Sequence, residues 1–328
     1  MTHLGITFAS LGALGLPVSV AIAQRAEELG YDSFWTAEAN GNEAFALLGA
    51  AGQGTSTIGL GTGVLPITIR TPTLTAMGAA TLQALHPDRD ILLGIGISSP
   101  AVAGQWHGAP PSKERPLAQV REYITIMREV FTGETVNFSG DFYNIRKFRL
   151  ALRMGERRPK IVVAALNAGM LKLAGELADG VVLNYLPASH VPWSVEQVRA
   201  GGNADIYAYV HAGIVEDQVA GLDLARRDLY GYAMAPAYAA MFAAAGFGDE
   251  MAALAQANAT GDRVAAMEAI SYRMVHAIDT MGDAAHVHQF VESYRAAGVT
   301  HPVLMPLPWG KDRRAVTDAT MLAAIGAK

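Results

Sequence analysis

Two periodicities alternate along this chain. Short apolar runs bounded by Gly, Pro, Asn or Asp are each followed by a longer stretch in which apolar residues return every three or four positions, the pattern of strands alternating with amphipathic helices. Residues 4–9 read as a first strand, followed by a helix opened by Pro17 that carries Val20, Ile22, Ala23, Ala26 and Leu29 toward the core and stops at Gly30. Residues 33–37 make a second strand ending at Glu38, with a helix over 44–51. Residues 58–64 make a third, interrupted by Gly59, Gly61 and Gly63, so that something flat is expected to lie close against its backbone. Behind it Thr71-Pro72 opens a helix with Leu74, Met77, Thr81, Leu82 and Leu85 at helical spacing. A fourth strand over 90–96 leads through a long loop, 97–114, into a helix over 117–131 with Val120, Ile124, Met127 and Val130 on one face.

The second half repeats the alternation with two interruptions. Residues 135–145 alternate polar and apolar around Ser139-Gly140, which predicts a small hairpin insertion at about 134–146. Strands follow at 161–166, 181–185, 206–215 and 299–307, with helices at 168–178, 283–297 and 312–325. Between the seventh and eighth strands, about 216–280 is Ala- and Met-rich without a strand pattern, and reads as a helical insertion. Eight strand and helix pairs predict an α/β fold, a (β/α)8 TIM barrel in one domain spanning 1–328. An open doubly wound sheet would need G-x-G-x-x-G after the first strand, and Phe8-Ala9-Ser10-Leu11-Gly12 does not supply it.

Composition narrows the chemistry. At 328 residues with 51% hydrophobic and 17% charged residues, the chain can bury a substantial core. A net charge of -5 and no Lys/Arg cluster argue against a nucleic-acid partner. With no cysteine, redox chemistry has to be carried by something bound. The start lacks the basic segment of a secretory signal, and no apolar run is long enough to span a bilayer, so the expectation is a soluble cytoplasmic protein without a membrane partner.

Six words in order and spacing, WTAEA (35–39), TSTIGLGTGVLPITIRTP (55–72), LLGIGISSP (92–100), QWHG (105–108), RPLAQVREY (115–123) and GELADG (175–180), resemble the luciferase-like monooxygenase superfamily. Within it they are similar to the branch that uses the deazaflavin coenzyme F420. The resemblance covers nearly all of 1–185 and the AAGVTHPVLMPL stretch near the end. It implies an oxidoreductase that passes a hydride between F420 and a small substrate, with a homodimer of paired barrels and a flavin or F420 reductase as a conceivable partner. An FMN-dependent monooxygenase is the alternative on the same fold. A non-catalytic binding protein on that barrel is a third reading.

In a (β/α)8 barrel the carboxyl ends of the strands hold the site. The resemblance places at Gly63-Val64 a bulge with a cis peptide that backs the central ring of the coenzyme. Glu38 falls where F420 enzymes carry an acid, there to hydrogen-bond the ring or to shuttle a proton with a burial-raised pKa; pairing with Arg70 is the structural alternative. Relatives often have His next, and here Ala39 follows. Ile97, Ser98 and Ser99 are expected at the ring's polar edge or the coenzyme side chain, with a turn or cap as the plain alternative. His107, in the same loop as Trp106, is a second acid/base candidate. Ala165, Leu166, Asn167, Ala168 and Met170, around the start of the fifth helix, are the expected phosphate grip, with Asn167 as N-cap. No metal is expected: His286 and His288 are two apart and share no helical face, while His211, on the seventh strand, and His276, in the insertion, are placed to face the pocket but read first as core or surface residues.

Overall fold

The computed structural model describes residues 3–99, 101–109, 115–215 and 217–327. Pro100 and 110–114 of the expected loop, and Glu216 at the head of the expected insertion, lie outside the described residues. The chain forms two compact units, one built from 1–165, 169–182 and 197–205, the other from 166–168, 183–196 and 206–328.

The first unit is a parallel sheet. β1 (Gly5–Thr7), β2 (Ser33–Thr36), β3 (Gly59–Pro66), β4 (Ile91–Gly96), β7 (Lys160–Ala164) and β8 (Gly180–Leu183) stand side by side in that order. β5 (Val136–Ser139) and β6 (Asn144–Phe148) form a separate antiparallel hairpin, as the alternation around Ser139-Gly140 predicts. A parallel strand covered on both faces needs apolar residues at successive positions, which is why β4 reads ILLGIG and is buried throughout. Helices Val18–Glu28, Ala44–Gly54, Pro72–Leu85 and Pro116–Phe131 follow the first four strands. The last buries Val120, Ile124, Met127 and Val130, the face its periodicity selects.

Helix Pro72–Leu85 turns the other way from its large residues. It buries Thr75, Ala76, Ala79, Ala80, Leu82 and Gln83, while Leu74, Met77 and Leu85 are about half exposed. Small residues let this helix approach its neighbours closely, and the leucine spacing marks the outer stripe. Part of the room left by the β3 glycines is filled from within the protein. A Cβ on Gly61 would stand 2.5 Å from the indole of Trp35, and one on Gly59 would crowd the carbonyls of Asp32 and Asp90 at 3.2 Å. Trp35, wholly buried, is anchored by its Nε1–H to Ser33 Oγ at 2.9 Å.

The second unit centres on β9 (Asp205–Gly213), which pairs in parallel with β10 (Asp279–Met281) and with β11 (His301–Pro306). The stretch read as wholly helical carries Gln218–Ala233, Pro236–Phe242, Gly248–Thr260, Arg263–Glu268 and Tyr272–Ile278, and ends in β10. Three residues, Asp-Thr-Met, are too short and too polar to show a strand period. Asp217, Asp262, Ser271, Asp283 and Asp312 cap five helices of this unit, each accepting a backbone N–H three residues on. Helix Val191–Arg199 also escaped the periodicity.

Candidate functional site

Glu38 stands two residues beyond β2, and its backbone N–H donates to the Val64 carbonyl at 3.3 Å, so the acid and the expected bulge are joined directly. Between Thr62 and Leu65 the β3–β4 register shifts, and the Gly63-Val64 peptide is cis. The glycines of LLGIG accommodate that bulge. A Cβ on Gly94 would meet the Thr62 carbonyl at 1.9 Å, and one on Gly96 would meet the Val64 side chain at 2.9 Å.

Arg70 grips Glu38 with both arms, Nε to Oε2 at 2.6 Å and Nη2 to Oε1 at 2.7 Å, a bidentate charge-assisted pair. The same Nη2 donates to Glu43, whose other oxygen caps helix Ala44–Gly54 at the N–H of Ala46. Neither member of the pair is much exposed, at 15% for the Arg70 side chain and 9% for that of Glu38. Tyr123, fully buried, fixes the other side by donating to the Arg70 carbonyl at 3.2 Å. Burial pushes the Glu38 pKa upward, but the hydrogen bonds and charge of Arg70, with the Ala44 N–H, outweigh it and hold the carboxyl below its ordinary value. The raised pKa expected of Glu38 is therefore corrected: paired with Arg70, its carboxyl is held below the ordinary value, the structural alternative the sequence also offered.

His107 comes to the same place from the loop after β4. Its Nε2 lies against the Ala39 carbonyl, which can only accept, so Nε2 carries the hydrogen and neutral His107 keeps Nδ1 as an acceptor. The position after Glu38, where the chain itself has only Ala39, thus has an imidazole bonded to its backbone. A cavity of about 540 Å³ opens here, with Glu38, Asn40, Asn42, Arg70 and His107 in its wall.

Of the other expected residues, Val64, Ile97, Ser98 and Ser99 are half-buried at the ends of β3 and β4. Ser99 Oγ accepts the Val102 N–H at 3.2 Å at the start of a π-helical turn, Ala101–Trp106, which is the capping role. Ser98 adopts φ 69, and its hydroxyl has no partner among the described residues. Ala165 is buried, Leu166, Asn167 and Met170 are half-buried, and Ala168 is exposed. The Asn167 amide donates to the Ala237 carbonyl at 3.3 Å, in helix Pro236–Phe242 of the second unit.

Sequence reasoning missed a second cluster, confined to the second unit. His211, at 1% exposure on β9, and Asp279, at 2% on β10, are register partners. Burial drives the His211 pKa down to about 3; burial, reinforced by the Asp228 charge, drives that of Asp279 well up. His211 Nε2 lies 3.1 Å from Asn184 Oδ1, whose Nδ2 donates to the Tyr238 hydroxyl at 3.0 Å. The signal available was Asn184 at a strand end and His211 on a strand; Asp279 sat inside a stretch read as helix.

The chain is 37% identical over 172 residues to an F420-dependent glucose-6-phosphate dehydrogenase of Intrasporangium calvum, covering 48% of this chain and 51% of that protein. It is 30% identical over 204 residues to a 5,10-methylenetetrahydromethanopterin reductase of Methanolobus tindarius, covering 60% and 61%. The chain thus spans roughly half to three-fifths of the length of these curated relatives. Among solved structures, the coenzyme F420 dependent tetrahydromethanopterin reductase of Methanopyrus kandleri superposes with a TM-score of 0.79 at 22% identity, over 98% of this chain and 97% of that one. That likeness is one of fold, and the fold is the α/β class of the (β/α)8 barrel. No described helix is long and apolar enough to cross a membrane. A sequence model of the luciferase-like monooxygenases matches residues 10–301, and the chain belongs to that family.

Proposed function

We propose that this protein is an oxidoreductase that transfers a hydride between coenzyme F420 and a small organic substrate. The observation that carries the reading is the joining of a fixed carboxylate, Glu38, to the β3 bulge at Val64, with an imidazole brought to the next residue. F420-dependent enzymes among the relatives support the choice of coenzyme. The residues fit a planar ring with a polar edge. Val64 and Ile97 offer half-buried apolar contact, Ser98 a hydroxyl with no partner among the described residues, and Glu38 an acceptor. Asn167 fits the phosphate grip through its backbone alone, because its side-chain amide is engaged by Ala237.

When bound, the coenzyme supplies the two-electron donor or acceptor. The chain's own residues do the rest. Arg70 keeps Glu38 ionised and aimed, and Glu38 would hold the polar edge of the ring. For a substrate oxidised at a carbon bearing O–H or N–H, the carbon gives up hydrogen together with its bonding electron pair, as hydride, and the proton of that O–H or N–H goes to His107 Nδ1 and on to water. In the reverse direction the same nitrogen returns it. His107, rather than Glu38, is the proton carrier because its lone pair is not locked in an ion pair.

A homodimer belongs to the same proposal. Exposed Leu74, Met77 and Leu85 give helix Pro72–Leu85 an apolar outer stripe, and sedimentation should return about twice the 34.6 kDa chain mass. The test of function is a titration of the purified protein with F420 and, separately, FMN, followed by coenzyme fluorescence. Micromolar binding of F420 is expected; binding of FMN with none of F420 would replace this reading with a flavin-dependent one.

A further inference from the structure

The buried cluster of the second unit contains a hydrogen-bonding problem with one economical solution. Among the described residues, His211 Nδ1 and Asp279 Oδ1 are both buried and without a hydrogen-bond partner, and they face each other at 3.5 Å. Two bare acceptors at that separation, away from water, would repel each other and each forfeit a hydrogen bond. A single proton between them removes both penalties, whichever heavy atom it rests on.

That proton has a consequence down the chain of contacts. With Nδ1 occupied by the shared proton, His211 can present hydrogen on Nε2 toward Asn184 Oδ1 at 3.1 Å. The Asn184 amide then points its Nδ2 hydrogens at the Tyr238 oxygen at 3.0 Å. A phenol that accepts on its oxygen is left with its own hydrogen to give. Were the pair one proton poorer, a neutral His211 beside an Asp279 carboxylate, the hydrogen would stay on Nδ1 and Nε2 would be bare, so the rest of the chain would reverse: Asn184 Nδ2 to Nε2, and the Tyr238 hydrogen spent on Asn184 Oδ1.

We propose that Asp279 and His211 share one proton while His211 keeps a second on Nε2, and that this proton count fixes the polarity of the His211–Asn184–Tyr238 chain, so that Tyr238 ends it as an oriented O–H donor for an oxygen acceptor of the substrate. Asp279, His211 and Asn184 are positioning residues; only Tyr238 meets the ligand. Two placements support that assignment. Asn184 directly follows β8, at the carboxyl end where barrel enzymes bind their ligands. Tyr238 adjoins Ala237, whose carbonyl takes the Asn167 side chain from the expected coenzyme stretch. The last step, that the acceptor is a substrate oxygen, rests on the hydride-transfer reading.

The surroundings favour a sealed, neutral pair. Tyr185 lies with its ring 4.0 Å from that of His211 and donates its hydroxyl to Asp228. Tyr232 lies 4.0 Å beyond Tyr185, and Tyr294 spends its hydroxyl on the Leu186 carbonyl at 2.7 Å. Tyr209 and Asp228 add charge only when ionised, and Asp228 is pushed upward by burial. Among the described residues no cation is paired with Asp279.

Two measurements on the whole protein test the proposal. In the ligand-free protein, nitrogen-15 NMR of labelled histidine should show His211 protonated on Nε2 from pH 5 to 9. Asp279→Asn, whose amide can donate to Nδ1, should keep that signature, and Asp279→Leu should lose it. A bare Nε2 in the wild type, or free titration of the ring near the ordinary histidine value, would overturn the shared proton. Tyr238→Phe should then leave the F420 dissociation constant within about twofold, because the donor is reserved for substrate; a tenfold weakening would overturn that assignment. The first measurement needs no coenzyme, so failure of F420 binding would leave the proton pair standing and remove only its substrate.

Discussion

Two carboxylic acids at strand ends of this protein are driven to opposite charge states. Glu38 follows β2 and meets a guanidinium within 2.6 Å; Asp279 begins β10 and, among the described residues, pairs only with a histidine at 3.5 Å. Both are desolvated, and burial alone would neutralise both. Arg70 reverses the outcome for Glu38, whereas the imidazole of His211, itself driven neutral, cannot do so for Asp279. The first region is thereby suited to hold a fixed negative acceptor beside a coenzyme, the second to hold a proton. One residue class does two jobs because of its neighbour.

The largest expected effect breaks the first region at its mobile proton. His107→Asn should lower F420-linked turnover by roughly 10² to 10⁴, the range for a positioned acid or base, while F420 affinity and melting temperature change little. Loss of affinity with normal turnover per bound coenzyme would make His107 a binding residue instead.

Arg70→Met should come next, because it leaves two acids without their cation. Breaking a mostly buried pair costs about 2 to 4 kcal/mol at pH 7 after allowance for its partial exposure, measured by denaturant unfolding. The folded-state pKa of Glu38 is depressed, so the pair's contribution is present above the ordinary value of 4.5 and fades as pH falls through the folded value. The gap between wild type and variant should therefore narrow in acid.

Asp279 should show the opposite sign. Its folded-state pKa is raised, so holding its proton stabilises the fold below the ordinary value of 3.8 and that contribution is lost as pH rises. Asp279→Asn, which keeps a donor and cannot ionise, should gain stability relative to wild type between pH 4 and pH 8. Asp279→Leu should be destabilised at both, because His211 Nδ1 is left without a donor.

The smallest effect comes from Glu27, outside both regions. Burial works upward on its pKa, but the backbone N–H groups of Thr57, Ile58 and Ser56 bring it down to about 2. Glu27→Gln should be modestly less stable at pH 7, and the difference should vanish as pH falls from 4.5 through about 2.

These regions were unequally legible in the sequence. Strand and helix alternation shows in local periods, and the acid at the end of β2 could be named with Arg70 as its partner because each stands just after a readable strand. The His107 contact with Ala39 joins residues 68 apart through a loop with no period. His211 and Asp279 are likewise 68 residues apart, and the three-residue β10 that pairs them is set by register with β9 rather than by its own composition. In helix Pro72–Leu85 the rule that large apolar residues face inward failed, since Ala76, Ala79 and Ala80 were needed for close approach. The glycines of β3 were read as making room for a ligand, and at Gly61 they make room for Trp35.

The contrast between the two acids can be measured directly by infrared difference spectroscopy at pH 7 on ligand-free protein. Subtracting the spectrum of Asp279→Asn from wild type should reveal the carbonyl stretch of a protonated carboxylic acid, and subtracting that of Glu38→Gln should reveal carboxylate bands alone. A protonated-acid band assigned to Glu38, with only carboxylate bands at Asp279, would contradict the account.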